Sequence, residues 1–106
     1  MSLFRNRKAW IVTVTDNLFS VQGKCVAVTG GAGVLGQSMC KGLAARGAKL
    51  AVLDLDLKRA TELCEQIRSA GGSAAPVEVN VLQKESVEAA HAETLKALGR
   101  IDVLIN

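Results

Sequence analysis

The chain has 106 residues, enough for one domain with a single core and too few for two. Hydrophobic residues make up 49% of it and aromatic residues only 3%, so its core is aliphatic, the composition of parallel strands buried on both faces beneath Ala/Leu helices. The net charge of +3 is small and partly local to Arg5, Arg7 and Lys8; with no Tyr and one Trp the chain lacks the cationic stripe and stacking aromatics of a nucleic-acid surface, and no apolar run reaches the length of a membrane span.

Residues 1–17 read as an N-terminal extension. The basic start and the apolar Ala9-Trp10-Ile11-Val12 give way to polar Thr13 and Thr15 too early for a secretory signal, with no clear small-residue cleavage site. This stretch is expected to be disordered or to add a short edge strand, and the protein to be cytoplasmic. Cys25, Cys40 and Cys64 fit that compartment: they are odd in number, far apart and without a C-x-x-C, so buried reduced thiols are expected rather than a metal site or a redox pair.

From Lys24 onward two patterns alternate. Cys25-Val26-Ala27-Val28-Thr29 is a β-rich apolar run ending in glycines, hence a buried strand. Leu35 to Arg46 carries Leu35, Met39 and Leu43, with Cys40 and Ala44 beside them, at the spacing of one helix face, and Gly47 stops it. Lys49 to Leu53 is a second strand, ending at Asp54. A second helix follows, with Leu57, Ala60, Leu63, Cys64 and Ile67 as its inner stripe, Lys58, Arg59, Glu62, Glu65 and Arg68 outside, and Gly71-Gly72 as its end. Ala74 to Val79 is a third strand, whose Pro76 suits an edge. Ser86 to Leu98 is a third helix ended by Gly99, and Ile101 to Ile105 a fourth strand.

The order β-α-β-α-β-α-β predicts an α/β fold with a parallel sheet and right-handed crossovers. With a glycine turn after the first strand, the expected class is a Rossmann-type sheet in spatial order 3-2-1-4, truncated after its fourth strand, with ligand at the strand C-terminal ends. Helices one and two are expected on one face and helix three on the other. The fourth strand is expected as an unpaired apolar edge, so these 106 residues alone should be marginally stable and bind ligand weakly.

Thr29-Gly30-Gly31-Ala32-Gly33-Val34-Leu35-Gly36 joins strand one to helix one, and Gly31, Gly33 and Gly36 satisfy G-x-G-x-x-G. A dinucleotide needs such a turn because its pyrophosphate must approach the backbone more closely than a Cβ allows. Free N–H groups and the positive end of the helix dipole then stabilise the anion. Asp54 ends the next strand 24 positions past Gly30, close to the distance at which a carboxylate meets the adenosine ribose hydroxyls. Asp56 is the better cap for helix two, which leaves Asp54 free. A carboxylate there repels the 2′-phosphate of NADP, and Lys58 and Arg59 fall inside the helix, so NAD is the expected cofactor.

These residues resemble the short-chain dehydrogenase/reductase family over roughly residues 18–106. Four stretches carry the resemblance: Gly23 to Gly30, Ala48 to Asp54, Asn80-Val81, and Gly99 to Asn106. The last is the most specific, because in the family it leads into an N-x-A-G motif, of which Asn106 is present. The resemblance implies the N-terminal half of an enzyme that transfers a hydride between nicotinamide and a carbonyl or alcohol. It implies that Gly30, Gly33, Val34 and Leu35 line the pyrophosphate and that Gly36 lets helix one pack. It places Asp54 on the ribose, Asn80 and Val81 on the adenine, and Asn106 on the nicotinamide-side ribose and strand four. A complete member is expected to be a homo-oligomer.

Two positions depart from the family's T-G-x-x-x-G-x-G and its usual Asp: Val34 stands at the middle glycine, and Asn80 replaces the acid. The V-L-G turn and the Leu18-Phe19-Ser20 lead-in are similar to the sugar-acid branch, of the D-mannonate oxidoreductase (fructuronate reductase) type, which implies a sugar-acid substrate. The family's catalytic Ser and Y-x-x-x-K are not assigned, since the chain contains no Tyr. His91, the single histidine, is expected as an exposed helix residue, with Glu85, Glu88 and Glu93 as a solvated face. Two other readings stay open: a non-catalytic dinucleotide-binding module or inactive fragment, and another Rossmann-like enzyme such as a methyltransferase.

Overall fold

Among the described residues each of the first three strands is followed by a helix that returns the chain, and the result is one parallel sheet. The structure, a computed structural model, describes residues 20–106; the expected extension 1–17, with Leu18 and Phe19, lies outside the described residues. In chain order the elements are β1 (Cys25–Thr29), α1 (Val34–Ala45), β2 (Lys49–Asp54), α2 (Leu57–Ser69), β3 (Ser73–Glu78), α3 (Lys84–Leu98) and β4 (Val103–Ile105). The sheet order is β3-β2-β1-β4, as the alternating pattern and the glycine turn predict. Pairing runs Cys25↔Lys49 to Thr29↔Leu53, Lys49↔Ser73 to Asp54↔Glu78, and Val26↔Val103 to Val28↔Ile105. Pro76 sits on β3, an edge strand, where its missing N–H breaks no ladder on the open side.

Strand alternation splits the core in two. Val26, Val28, Leu50 and Val52 face α1 and α2, packing against Cys40, Ala44, Leu63 and Ile67. Ala27, Ala51, Leu53 and Val77 face α3 and meet Ala90. Helices one and two thus cover one face and helix three the other, by the handedness of the crossovers.

The inner faces of two helices differ from expectation. On α1, Leu35 is 81% exposed and Met39 41%, while Cys40 and Ala44 are buried. The face is set by Gly36, whose Cα lies against the glycine turn, and Cys40 and Ala44 follow it at i+4 and i+8. Close packing selects small residues there and turns the larger Leu35 and Met39 outward. On α2, Leu57 is 41% exposed at the helix start, and Ala60, Leu63, Cys64 and Ile67 alone make the buried stripe. Asp56 caps α2 as expected, its Oδ1 accepting from Arg59 N at 3.1 Å.

β4 is shorter than expected because Asp102 pairs with β1 through its side chain. Its Oδ2 accepts from Cys25 N at 2.8 Å, and its own N–H donates to Cys25 O at 2.7 Å. Arg100 Nε lies 2.9 Å from the same carboxylate, and Arg100 Nη2 donates to Gly23 O. The Cys25 N–H, with Arg100 added, holds the Asp102 carboxyl below its ordinary value of 3.8. Val103 and Leu104, 40% and 59% exposed, lie on the outer edge strand.

All three cysteines are buried and free. Burial pushes Cys40 from 9.0 to about 11, with the neighbouring Cys64 adding to the shift. Burial likewise raises Cys64 to about 11, against an opposing pull from Arg68. A raised thiol is a group that the unfolded chain deprotonates first, so its contribution is complete below pH 9.0 and fades as pH rises toward about 11. Cys40 and Cys64 are therefore expected to resist a colorimetric disulfide reagent in the native protein at pH 8 and to react promptly in denaturant. Stoichiometric labelling without unfolding would contradict this burial.

Candidate dinucleotide site

Parallel strands bring their C-terminal ends to one side of the sheet, and each expected site residue lies there. Gly30 to Gly36 follow β1, Asp54 closes β2, Asn80 and Val81 follow β3, and Asn106 follows β4. The glycine turn is tied to β2 by its backbone. Gly30 N and Gly31 N both donate to Leu53 O, at 2.7 and 3.3 Å, and Gly33 N donates to Gly30 O at 3.1 Å. Gly30 has φ +67°, a left-handed conformation that side chains disfavour. Gly36 packs against the turn itself rather than the sheet: a Cβ there would overlap Gly30 O and lie 2.7 Å from Gly31 Cα.

α1 opens at Gly33, which carries no side-chain cap, and its first turn holds no acidic residue. Gln37 N donates to Gly33 O at 2.8 Å, so the N–H groups of Val34, Leu35 and Gly36 precede the first intrahelical bond and point out of the helix end. That end has an unneutralised positive dipole and is framed by backbone rather than side chains. Val34 is 82% exposed at the first helical position, and among the described residues none other than glycine has positive φ. The valine at the middle position of the turn is therefore unstrained.

Asp54 is not free, contrary to the reading of it as an uncommitted carboxylate. Its Oδ2 accepts from Ala32 N at 3.1 Å and its Oδ1 from Asp56 N at 2.9 Å. Positions 50, 52 and 54 share one face of β2, which aims Asp54 toward the α1 side and the turn. Each oxygen retains a lone pair for a further donor. The carboxylate thus links β2 to the turn while facing the site.

Sequence reasoning missed the residues that shape this loop. Ala32 is buried and receives Gln37 Nε2 on its carbonyl at 2.9 Å. Thr29 Oγ1 lies 3.0 Å from Asn106 Oδ1 and 3.2 Å from Ile105 O, joining the ends of β1 and β4. Asn80 Oδ1 accepts from Leu82 N at 3.0 Å, and Ser86 Oγ accepts from Asn80 N at 2.8 Å. Asn80 therefore shapes its own loop, with one acceptor position already taken. None of these contacts follows from a helix or strand period, so the sequence carries no signal for Gln37 or Ser86.

Between α3 and β4 a groove of about 350 Å³ opens beside these residues, bordered by Thr29, Val81, Val87, His91, Leu104 and Asn106. His91 is exposed on α3, as expected. A larger hollow of about 540 Å³ lies at the opposite end of the sheet, between the C-termini of α1 and α2, away from the glycine turn. Among the described residues there is no cluster of His, Cys, Asp and Glu suited to a metal, and no helix long and apolar enough to cross a membrane.

Residues 24–106 match the short chain dehydrogenase family. The chain belongs to that family. Over 87 residues it is 37% identical to an uncharacterised oxidoreductase, UxuB, of Bacillus subtilis, covering 82% of this chain and 31% of that protein. It is 34% identical over 91 residues to the 5-keto-D-gluconate 5-reductase of Escherichia coli K12, covering 86% of this chain and 36% of the relative. A proposed D-mannonate oxidoreductase from Haemophilus influenzae, crystallised with bound NAD, superposes with a TM-score of 0.76 at 30% identity, over 80% of this chain and 30% of that one. The chain spans about a third of the length of these relatives. Short-chain dehydrogenases bind nicotinamide dinucleotides, and membership of that family sets the methyltransferase reading aside.

The residues present fit a dinucleotide. The uncapped α1 terminus supplies N–H donors for a pyrophosphate, Gly30 and Gly36 keep the cradle free of Cβ atoms, and Asp54 supplies acceptors beside it.

Proposed function

We propose that this chain is the cofactor-binding part of an NAD-dependent short-chain dehydrogenase/reductase, whose complete protein transfers a hydride between nicotinamide and a carbonyl or alcohol. The observation that carries the reading is the Asp54 carboxylate, fastened to the glycine turn through Ala32 N at 3.1 Å. That attachment sets an anionic acceptor beside the pyrophosphate cradle, where it pairs with two ribose hydroxyls and repels a 2′-phosphate.

In this reading Gly30, Gly33, Val34 and Leu35 border the pyrophosphate, and Gly36 keeps the helix end close to it. Asn80 and Val81 flank the adenine, and Asn106, held by Thr29, meets the nicotinamide-side ribose. The nicotinamide supplies the hydride chemistry when bound; this chain's residues bind and orient it. The substrate we infer is a sugar acid. Its support is the V-L-G turn together with the similarity to a 5-keto-D-gluconate reductase and to a proposed D-mannonate oxidoreductase with bound NAD. The complete protein acts in the cytoplasm as a homo-oligomer.

Parallel titrations with NAD and NADP, followed by ligand-observed NMR into the millimolar range, test the cofactor assignment. NAD is expected to bind at least about tenfold more tightly, the equivalent of about 1.4 kcal/mol. Equal affinities, tighter NADP binding, or no binding of NAD would overturn it.

A further inference from the structure

All but one of the turn's glycines are required by the chain itself. Gly30 needs its φ of +67°. A Cβ on Gly31 would lie 2.9 Å from Val52 Cγ1, and one on Gly36 would overlap the turn backbone. Gly33 has neither reason. Its φ of −72° and ψ of 174° are open to any residue. A Cβ there would touch only Gly30 O, at an ordinary 3.4 Å.

Glycine is also a weaker choice than Ser, Asn or Asp at an N-cap, which is the position Gly33 occupies. The next residue, Val34, is helical and projects a branched side chain to 82% exposure where the resembled family carries glycine. A chain that spends glycine on a position its fold does not demand, and accepts valine beside it, leaves the open backbone at the first of the two.

We propose that the backbone approach of the dinucleotide's pyrophosphate, made in the family at the middle glycine, is displaced by one residue in this chain to Gly33. Val34 then flanks the phosphates as an apolar wall instead of lying beneath them. This rests on the NAD reading above. Gly33 acts as a binding residue whose missing Cβ is the feature the ligand needs.

The test compares NAD affinity and melting temperature for the unsubstituted chain, Gly33→Ser, Gly33→Ala and Val34→Gly. The serine hydroxyl can cap α1, so Gly33→Ser is expected to melt at the same temperature or higher while binding NAD at least about tenfold more weakly, the effect of losing one hydrogen bond to an ion. Gly33→Ala should lose affinity similarly and melt a few degrees lower, since alanine is a poorer N-cap than glycine. Val34→Gly should melt lower and gain no NAD affinity, because it removes the apolar wall while the open backbone stays at Gly33.

NAD binding by both Gly33 variants within about twofold of the unsubstituted chain overturns the proposal. So does a failure of both to fold, which would make Gly33 a structural glycine. So does about tenfold tighter binding by Val34→Gly, which would return the approach to the middle position. If the unsubstituted chain itself binds no NAD, the cofactor assignment fails first, a result distinct from those three.

Discussion

Gly36→Val is expected to destabilise the protein by about 3 kcal/mol, a large share of the roughly 5–15 kcal/mol that holds a typical domain together. The added Cβ would overlap Gly30 O and approach Gly31 backbone carbon atoms at 2.7 and 2.8 Å. No side-chain rotamer relieves a clash with main chain. Relief requires α1 to lift from the turn, which strips Cys40 and Ala44 from the core. Gly42→Ala on the same helix is the matched comparison. A Cβ there meets nothing within 4 Å, so alanine should stabilise the protein by about 1 kcal/mol through helix propensity. Urea unfolding of the two variants should move in opposite directions. A Gly36→Val midpoint equal to that of the unsubstituted protein would show that the helix is not seated on the turn.

Asp54→Ala should lower both NAD affinity and stability, because one carboxylate serves two purposes. Removing it leaves Ala32 N, in a buried residue, and Asp56 N without their acceptor, a loss of about 1–3 kcal/mol if the Ala32 N–H stays dry. It also removes the ribose acceptor, so NAD should bind about tenfold to a hundredfold more weakly. NADP should lose less, since the repulsion of its 2′-phosphate disappears with the charge, and the preference for NAD should narrow toward parity. Asp54→Asn keeps one accepting oxygen and should recover part of the stability while retaining little of the discrimination. Titration of both cofactors against both variants, with melting curves alongside, reads the two roles separately. Undiminished NAD binding by Asp54→Ala would remove Asp54 from the site and leave it a purely structural link.

Much of this arrangement is legible from composition and pattern. Apolar runs ending in glycine or Asp, alternating with helical periods closed by Gly47, Gly71 and Gly99, specify the strand–helix order and with it a parallel sheet. The parallel sheet then places Gly30 to Gly36, Asp54, Asn80, Val81 and Asn106 at one end, because every strand ends there.

The facing of α1 was less legible because two stripes compete. Leu35 and Met39 are the larger apolar side chains, yet Cys40 and Ala44 are buried and Gly36 sits against the turn, since close approach there rewards small side chains over large ones. The apolar run places Asp102 within a strand, and its side-chain bond to Cys25 N stands outside any periodicity.

Element order, the cradle of glycines and the acid at the end of β2 were thus determined by the sequence alone, because each depends on local chain stiffness and the spacing of apolar residues. Tertiary structure alone decided that Asp54 holds Ala32, that Thr29 meets Asn106, and that Gly31 and Gly36 are demanded by packing while Gly33 is not. Those outcomes depend on distances between strands and turns that become neighbours only when the sheet closes over its helices, and no local pattern encodes a distance of that kind.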